Sequence, residues 1–120
     1  MEIAYLQELE LFYLIPAIRK ELALVMKSNG KDQKEIAVLL GVTEAAVSKY
    51  VNKKRASEVK FDESVLKEIE SVHEKIEGKQ DTIRVIQTIL REMKEDKTIC
   101  DIHRKFSRDI PEDCDICFRK

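Results

Sequence analysis

Apolar residues recur at intervals of three and four along almost the whole chain, which is the spacing of amphipathic helices. The first long pattern follows Pro16, a residue suited to the first turn of a helix, and ends at Asn29-Gly30. One face of this predicted helix carries Ile18, Leu22, Val25 and Met26. A shorter amphipathic helix is predicted before Pro16, as a core or dimer contact formed by Leu6, Leu9, Leu11 and Phe12. No segment has the pattern of a strand, so an all-α fold is predicted.

Two short helices are predicted next, each with its own start signal. Asp32 and Glu35 form a capping box, in which both side chains satisfy free backbone donors at the start of a helix. Gly41 ends that helix, and Thr43 is a good N-cap for another that runs to about Lys54.

Two narrow apolar stripes follow a polar stretch at 52–60. Their residues are spaced alternately four and three apart, as in a packed helical hairpin or a coiled-coil seam. The stripes either complete the core of one chain or pair two chains. The first ends at Gly78 and the second follows a predicted cap at Asp81; their members are Val65, Ile69, Val72 and Ile76, then Ile83, Ile86, Leu90 and Met93.

The near-neutral net charge of −1 hides one basic segment. Residues 31–60 carry seven bases against four acids and end in Lys53-Lys54-Arg55, which predicts a polyanion partner. No apolar run is long enough to span a membrane, and the acidic start of the chain does not resemble a signal peptide. We therefore expect a cytoplasmic protein without a membrane partner, whose cysteines stay reduced.

The most specific motif lies at 33–55. Ala37 is small where two helices would cross, Gly41 suits the turn, and Val47 follows ten residues after Ala37 as an anchor, with Tyr50 and Val51 beside it. This pattern resembles the helix-turn-helix of lambda repressor/Cro-type (XRE-like) transcription regulators. The resemblance implies that the second helix of the motif enters the major groove of double-stranded DNA.

That placement assigns the outward-facing residues of the motif to DNA. The candidate base readers are Thr43, Glu44, Ala45, Ser48, Lys49 and Asn52. The candidate phosphate contacts are Gln33, Lys34, Lys53, Lys54 and Arg55, with Ser48 also suited to a phosphate. The alternative for any one of these residues is a place on a solvated helix face, and Lys53-Lys54-Arg55 would also complement a helix dipole. Tyr50 is interpreted as core.

A wider resemblance comes from IPAIRKELA before the motif, VSKYVNKKRA at its end, and a cysteine-containing tail. Together these segments look like a group of predicted archaeal regulators. Membership would imply dimeric DNA binding, and hence a dimer interface that includes the helices at 62–95. Members of the group often have Gln where this chain has Glu44, and a carboxylate there alters the base preference.

All three cysteines lie in the segment CDIHRKFSRDIPEDCDIC. Thr98 can cap a short helix that carries Cys100 and His103, and Pro111 can start another that carries Cys114 and Cys117. Two such pairs facing each other would form a Cys3His site suited to structural Zn²⁺. A [2Fe-2S] or [4Fe-4S] cluster, acting as a sensor, is the alternative, and three unrelated buried cysteines are another.

Enzyme signatures are weak. The pair Cys114 and Cys117 would suggest a redox enzyme only beside a βαβ pattern, and His73, expected at the surface or in the helical seam, has no evident nucleophile partner. The prediction is a non-enzymatic, dimeric transcription regulator, with an antitoxin-like protein-interaction module as the alternative. Its parts are a helix-turn-helix domain at 1–57, a helical hairpin and dimerisation segment at 58–97, and a metal-binding tail at 98–120.

Overall fold

The computed structural model describes residues 5–52, 59–96 and 98–106, and within these ranges all regular structure is helical. The all-α prediction is confirmed for this part of the chain. None of its helices has the length and hydrophobicity that crossing a bilayer requires. In chain order the elements are α1 (Leu6–Leu9), a π-helical turn (Glu10–Leu14), α2 (Ile15–Ser28), α3 (Gln33–Leu40), α4 (Glu44–Val51), α5 (Glu63–Val72), a 3₁₀ turn (His73–Lys75), α6 (Lys79–Glu95) and α7 (Thr98–Phe106).

The N-terminal region is one continuous helical run, in which Pro16 lies in the first turn of α2 as the sequence predicts. The backbone keeps right-handed helical angles at Leu9 and Ile15, so α1, the π-helical turn and α2 join without a loop. Proline cannot donate a helical hydrogen bond, and a widened turn just before it accommodates the lost bond. Leu11 and Phe12, predicted on the apolar face, both lie in this widened turn and are 60% and 58% exposed.

Helix α2 is the centre of the core. It packs against α3, α4 and α5 and against the 3₁₀ turn. Ile18, Leu22 and Met26 are fully buried on the face that the sequence predicts. Val25 is half-buried at the edge of that face. The helix therefore serves as the common wall against which both the N-terminal and the later helices lie.

Helices α5 and α6 bury most of their apolar stripes within the single chain, but Ile83 of the second stripe is 44% exposed. Ile69 and Ile76 from the first stripe, and Ile86 and Met93 from the second, belong to the same buried cluster as the residues of α2. Helix α5 packs mainly on α2, whereas α6 packs mainly on α3 and α7. In a closely packed hairpin the two helices would be each other's principal partners, and here they are not. Periodicity identifies the buried face of a helix but not the helix that covers it.

The start of α6 also differs from the prediction. The N-cap is Gly78, and Asp81 is the third residue of the helix. The Asp81 carboxylate accepts a hydrogen bond from the backbone N–H of Glu77 at 3.0 Å and one from Arg84 at 3.3 Å. Asp81 therefore still stabilises the helix start, but from inside the first turn. His73, expected at the surface or in the seam, is buried in the 3₁₀ turn.

One buried hydrogen bond joins α6 to α3. The Thr82 hydroxyl donates to the backbone carbonyl of Leu39 at 2.7 Å, across 43 positions of sequence. Leu39 lies in the last turn of α3, where carbonyl groups have no partner inside the helix. Thr82 is almost fully buried, so water does not compete for this bond. The bond therefore fixes the end of α3 to the first turn of α6.

The Glu68 side chain of α5 forms a hydrogen bond with Glu92, near the C-terminal end of α6. Burial, a side-chain hydrogen bond with Glu92, and the negative charges of Glu92 and Asp96 raise the pKa of Glu68 from its ordinary value of 4.5 to about 7. The folded chain therefore binds the Glu68 proton more tightly than the unfolded chain does. It follows that stability is greatest below about pH 4.5 as far as this group is concerned, and that this contribution is lost as the pH rises to about 7.

The first prediction concerns the bond between α3 and α6. Thr82→Val keeps the shape of the side chain but leaves the Leu39 carbonyl buried without this donor, so it should lower the free energy of unfolding by about 1–2 kcal/mol. Urea unfolding followed by circular dichroism measures the loss. Thr88→Val is the matched control, because the Thr88 hydroxyl donates only within its own helix, to Arg84 at 2.9 Å. Equal losses in the two variants would contradict this role for Thr82.

The second prediction concerns Glu68. At pH 8 Glu68→Gln should raise the free energy of unfolding by about 1 kcal/mol, a value reduced for solvent screening because the carboxyl lies near the surface. The gain should shrink as the pH falls from about 7 to 4.5, where the wild-type carboxyl takes up its proton. Thermal unfolding across this pH range tests it against Glu70→Gln, an exposed position on the same helix. A gain that does not vary with pH would refute the assignment.

Candidate nucleic-acid interface

Helices α3 and α4 are joined by a short turn, and each helix begins at a side-chain cap. The Asp32 carboxylate accepts from the backbone N–H of Glu35 at 2.8 Å, and the Thr43 hydroxyl oxygen accepts from Ala46 at 3.1 Å. Both residues are therefore the N-caps that the sequence predicts. The Glu35 carboxylate, the other half of the predicted capping box, lies 3.6 Å from Lys31 Nζ.

Gly41 makes the turn possible. Its φ of 70° is in the left-handed region, which a side chain would disfavour. The next residue, Val42, donates its backbone N–H back to the Ala37 carbonyl at 3.0 Å. This bond closes the end of α3 and directs the chain into α4.

Helix α4 is held by the anchors that the sequence predicts. Val47 and Tyr50 are buried from α4, Ala37 is buried from α3, and α4 packs against both α2 and α3. Tyr50 is a core residue, as predicted, and Val51 is half-buried at the edge. With one face of α4 fixed in this way, its opposite face points away from the core.

The predicted base readers lie on that opposite face. Five of the six are exposed, and Ser48 is half-buried between them and the core. Gln33 and Lys34 are exposed in the first turn of α3. The predicted phosphate contacts Lys53, Lys54 and Arg55 fall outside the described residues. The five exposed candidates are Thr43, Glu44, Ala45, Lys49 and Asn52.

Two of the predicted base readers bond to each other. The Asn52 amide nitrogen donates to the Ser48 hydroxyl at 3.3 Å, which holds the amide over the last turn of α4. Asn52 keeps a second amide hydrogen and its carbonyl oxygen, which is the donor and acceptor pair that adenine N7 and N6 require. Ser48 keeps its own hydroxyl hydrogen for an acceptor such as a phosphate oxygen.

The first turn of α6 covers the turn between α3 and α4. A Cβ atom placed on Gly41 would lie 2.7 Å from both Cγ and Cδ of Lys79, so the lysine chain runs directly over the glycine. With the bond from Thr82 to Leu39, this contact fixes α6 beside the two helices that carry the candidate interface. Neither Lys79 nor Thr82 was among the residues that the sequence predicts for this site. Thr82 had a usable signal, since it lies four residues before Ile86 on the buried face, where a polar side chain needs a partner.

The predicted metal ligands are described only in part. Cys100 and His103 lie one turn apart on α7 and are 5% and 6% exposed, while Cys114 and Cys117 lie outside the described residues. Across the described ranges, no three potential metal ligands come together, and only half of the predicted set falls within them. A buried thiol and a buried imidazole on one helix are donors that fit zinc and iron–sulfur clusters alike.

The chain matches no family model, no curated protein and no solved structure.

The third prediction concerns the glycine in the turn. Gly41→Ala should lower the free energy of unfolding by about 2 kcal/mol, because alanine disfavours a positive φ and its Cβ also meets Lys79. Gly30→Ala is the matched control, since Gly30 has a φ of 94° but a Cβ added there would meet no atom within 4 Å. It should cost about 1 kcal/mol. Adding Lys79→Ala to Gly41→Ala should recover part of the loss in urea unfolding, and no recovery would contradict the contact.

Proposed function

We propose that this chain is a sequence-specific, double-stranded DNA-binding transcription regulator that works as a homodimer in the cytoplasm. The observation that carries the proposal is the exposed polar face of α4, held outward by buried Val47 and Tyr50. This face lies in the only segment of the chain with a marked excess of basic residues, at 31–60. Helices α3 and α4 then act as a helix-turn-helix of the lambda repressor/Cro type, with α4 as the recognition helix.

Helix α4 has the size and chemistry for the major groove. An α-helix with its side chains is about 10–12 Å in diameter, which matches the roughly 12 Å width of that groove. In this proposal Lys49 donates to guanine O6 and N7, Asn52 pairs with adenine, and Glu44 accepts from cytosine N4. The methyl groups of Thr43 and Ala45 suit thymine. The Thr43 oxygen is already used as the helix cap, which leaves its methyl group as the part able to read a base.

Contacts to the phosphate backbone would come from both ends of the pair of helices. Gln33 and Lys34 are exposed at the start of α3, where free backbone amides also favour an anion. Lys53, Lys54 and Arg55 follow α4 directly in the sequence and would supply most of the positive charge. These contacts position the protein but carry little sequence information.

A dimer is part of the proposal because one short recognition helix contacts too few base pairs for tight binding. Two copies that reach successive major grooves would bind about one helical turn apart. Most of the stripe residues of α5 and α6 are buried inside the chain, so the dimer contact would use apolar side chains that stay exposed. In the segment that the sequence assigns to the dimer, Leu66 and Ile83 are 38% and 44% exposed and suit such a contact.

The tail would hold a metal centre formed by Cys100, His103, Cys114 and Cys117. Bound Zn²⁺ would fold the tail, whereas a [2Fe-2S] or [4Fe-4S] cluster would make it responsive to oxidation. The burial of Cys100 and His103 on one helix supports a shared ligand set. Helix α7 packs on α6, and the first turn of α6 covers the turn before the proposed recognition helix, so α7 is linked to that helix through packed elements.

The fourth prediction separates the proposed base readers from the proposed phosphate contacts. Lys49→Ala and Asn52→Ala should each weaken binding to a promoter site by about 1–3 kcal/mol and leave binding to random DNA nearly unchanged. Lys53→Ala and Lys54→Ala should weaken both and flatten the salt dependence. Fluorescence anisotropy at several salt concentrations measures each effect. Lys67→Ala, an exposed lysine of α5 outside the proposed interface, is the control.

The outcomes of this experiment also separate the alternatives. Salt-sensitive preference of the wild type for its promoter supports the regulator, and the absence of that preference supports a protein-interaction module of the antitoxin type. Equal effects of both sets of variants on promoter and random DNA would contradict the assignment of base readers.

The fifth prediction concerns the tail. Protein purified without oxygen should contain either one zinc per chain and no visible absorption, or iron with sulfide and a brown colour. Replacing Cys100 with Ser should remove the metal in either case. A wild-type protein with no bound metal, by absorption spectrum and metal analysis, would refute the Cys3His centre.

A further inference from the structure

A cavity of about 280 Å³ lies between α5 and α6. It exists because the two helices pack mainly on other elements and only partly on each other. Val72 from α5, with Val85 and Ile89 from α6, forms its apolar walls. The volume is at the small end of the range for ligand cavities, which limits an occupant to a small molecule.

The cavity has charged groups of opposite sign at its two ends. Glu68 lines one end, where its carboxyl bonds to Glu92 on α6. Lys75 and Arg84 line the other end together with Asp81, so two cations face one carboxylate there. Glu68 lies on α5, and Lys75 ends the 3₁₀ turn that follows this helix. The apolar side chains lie between these ends, so the lining changes along the cavity from acidic to apolar to basic.

The basic end keeps an unused positive charge. Arg84 is paired with Asp81 at 3.3 Å, and Asp81 also accepts from the Glu77 backbone. Lys75 forms no ion pair with any residue in the described ranges, so its ammonium group remains available to an anion. The acidic end has a surplus of carboxylates in the same way, from Glu68, Glu92 and nearby Asp96.

We propose that this cavity binds a small aliphatic zwitterion with an ammonium group at one end and a carboxylate at the other, as in an ω-amino acid. The ammonium group bonds to Glu68, the carboxylate lies at Lys75, and the methylene chain packs on Val72, Val85 and Ile89. A simple amine would leave no anion at the basic end, and a simple carboxylate would place no cation at the acidic end. The two charged ends of the cavity thus select a ligand that carries both an ammonium group and a carboxylate.

Proton release is a second consequence of this arrangement. Burial and the neighbouring carboxylates raise the pKa of Glu68 to about 7, so part of the protein holds a proton there at neutral pH. A ligand ammonium takes the place of that proton, and binding therefore releases it. Affinity should increase as the pH rises through about 7, where Glu68 ionises. Neither this effect nor the binding itself depends on whether the chain binds DNA.

The test is isothermal titration calorimetry of the full chain with 6-aminohexanoate at pH 8, compared with hexylamine and hexanoate. The zwitterion should bind with one site per chain, and each singly charged compound should bind at least roughly tenfold more weakly. Glu68→Gln and Lys75→Gln should each weaken binding of the zwitterion by roughly tenfold. Glu63→Gln and Lys67→Gln are matched controls, because that exposed pair of α5 lies 3.2 Å apart and outside the cavity lining.

Three results would overturn the proposal. The first is the absence of saturable heat with 6-aminohexanoate in the wild type, which no variant is needed to establish. The second is equal affinity for hexylamine or hexanoate, which would show that only one end of the cavity acts. The third is an equal loss in the control variants, which would place the binding charge elsewhere on α5.

Discussion

The first turn of α6 lies across the turn that joins α3 to α4, and this contact fixes α6 beside the pair of helices that carries the candidate interface. The Thr82 hydroxyl satisfies a carbonyl in the last turn of α3, and the Lys79 chain occupies the space that Gly41 leaves open. Without α6 in this position, the Leu39 carbonyl at the end of α3 would lack its buried donor. A residue 43 positions later in the chain thus completes the pair of helices that carries the candidate interface.

This contact also links the separate regions of the chain. Helix α6 meets α3 at its first turn, borders the cavity along its middle, and packs against α7, which carries Cys100 and His103. A change at the tail or in the cavity would act on the proposed recognition helix through one helix of 17 residues. Because the described helices share one buried core, a displacement of α6 would change the packing of α2, α3 and α4 together. If the chain binds DNA as proposed, the packed helices offer a physical route by which the tail or the cavity could affect that binding.

Sequence reasoning succeeded where the signal is local. The caps Asp32 and Thr43, the left-handed Gly41, and the burial of Ala37, Val47 and Tyr50 follow from residue type and spacing, and all are present. These features depend on neighbours within one or two helical turns, which a sequence pattern records directly.

Prediction from the sequence failed where the result depends on packing between elements. The π-helical turn that joins α1 to α2 was not predicted. The stripes of α5 and α6 left open whether they complete the core of one chain or pair two chains, and in the structure each helix packs on a different neighbour within the chain. The cavity was not predicted because it arises from incomplete contact between two helices. In the sequence, the charged residues at its ends, Glu68 and Lys75, are indistinguishable from residues of a solvated helix face. The proposed metal site combines residues from two separated pairs, and the described residues contain only one of these pairs.

The proposed regulator requires that two copies of α4 read two neighbouring stretches of DNA. Selection of bound sequences from a random DNA pool, followed by hydroxyl-radical footprinting of the selected site, is the decisive measurement. A dimer of this kind should enrich an inverted repeat whose two halves are protected and lie about one helical turn apart, about 10 base pairs. Recovery of no enriched sequence, or protection of one isolated half-site at saturating protein, would contradict it.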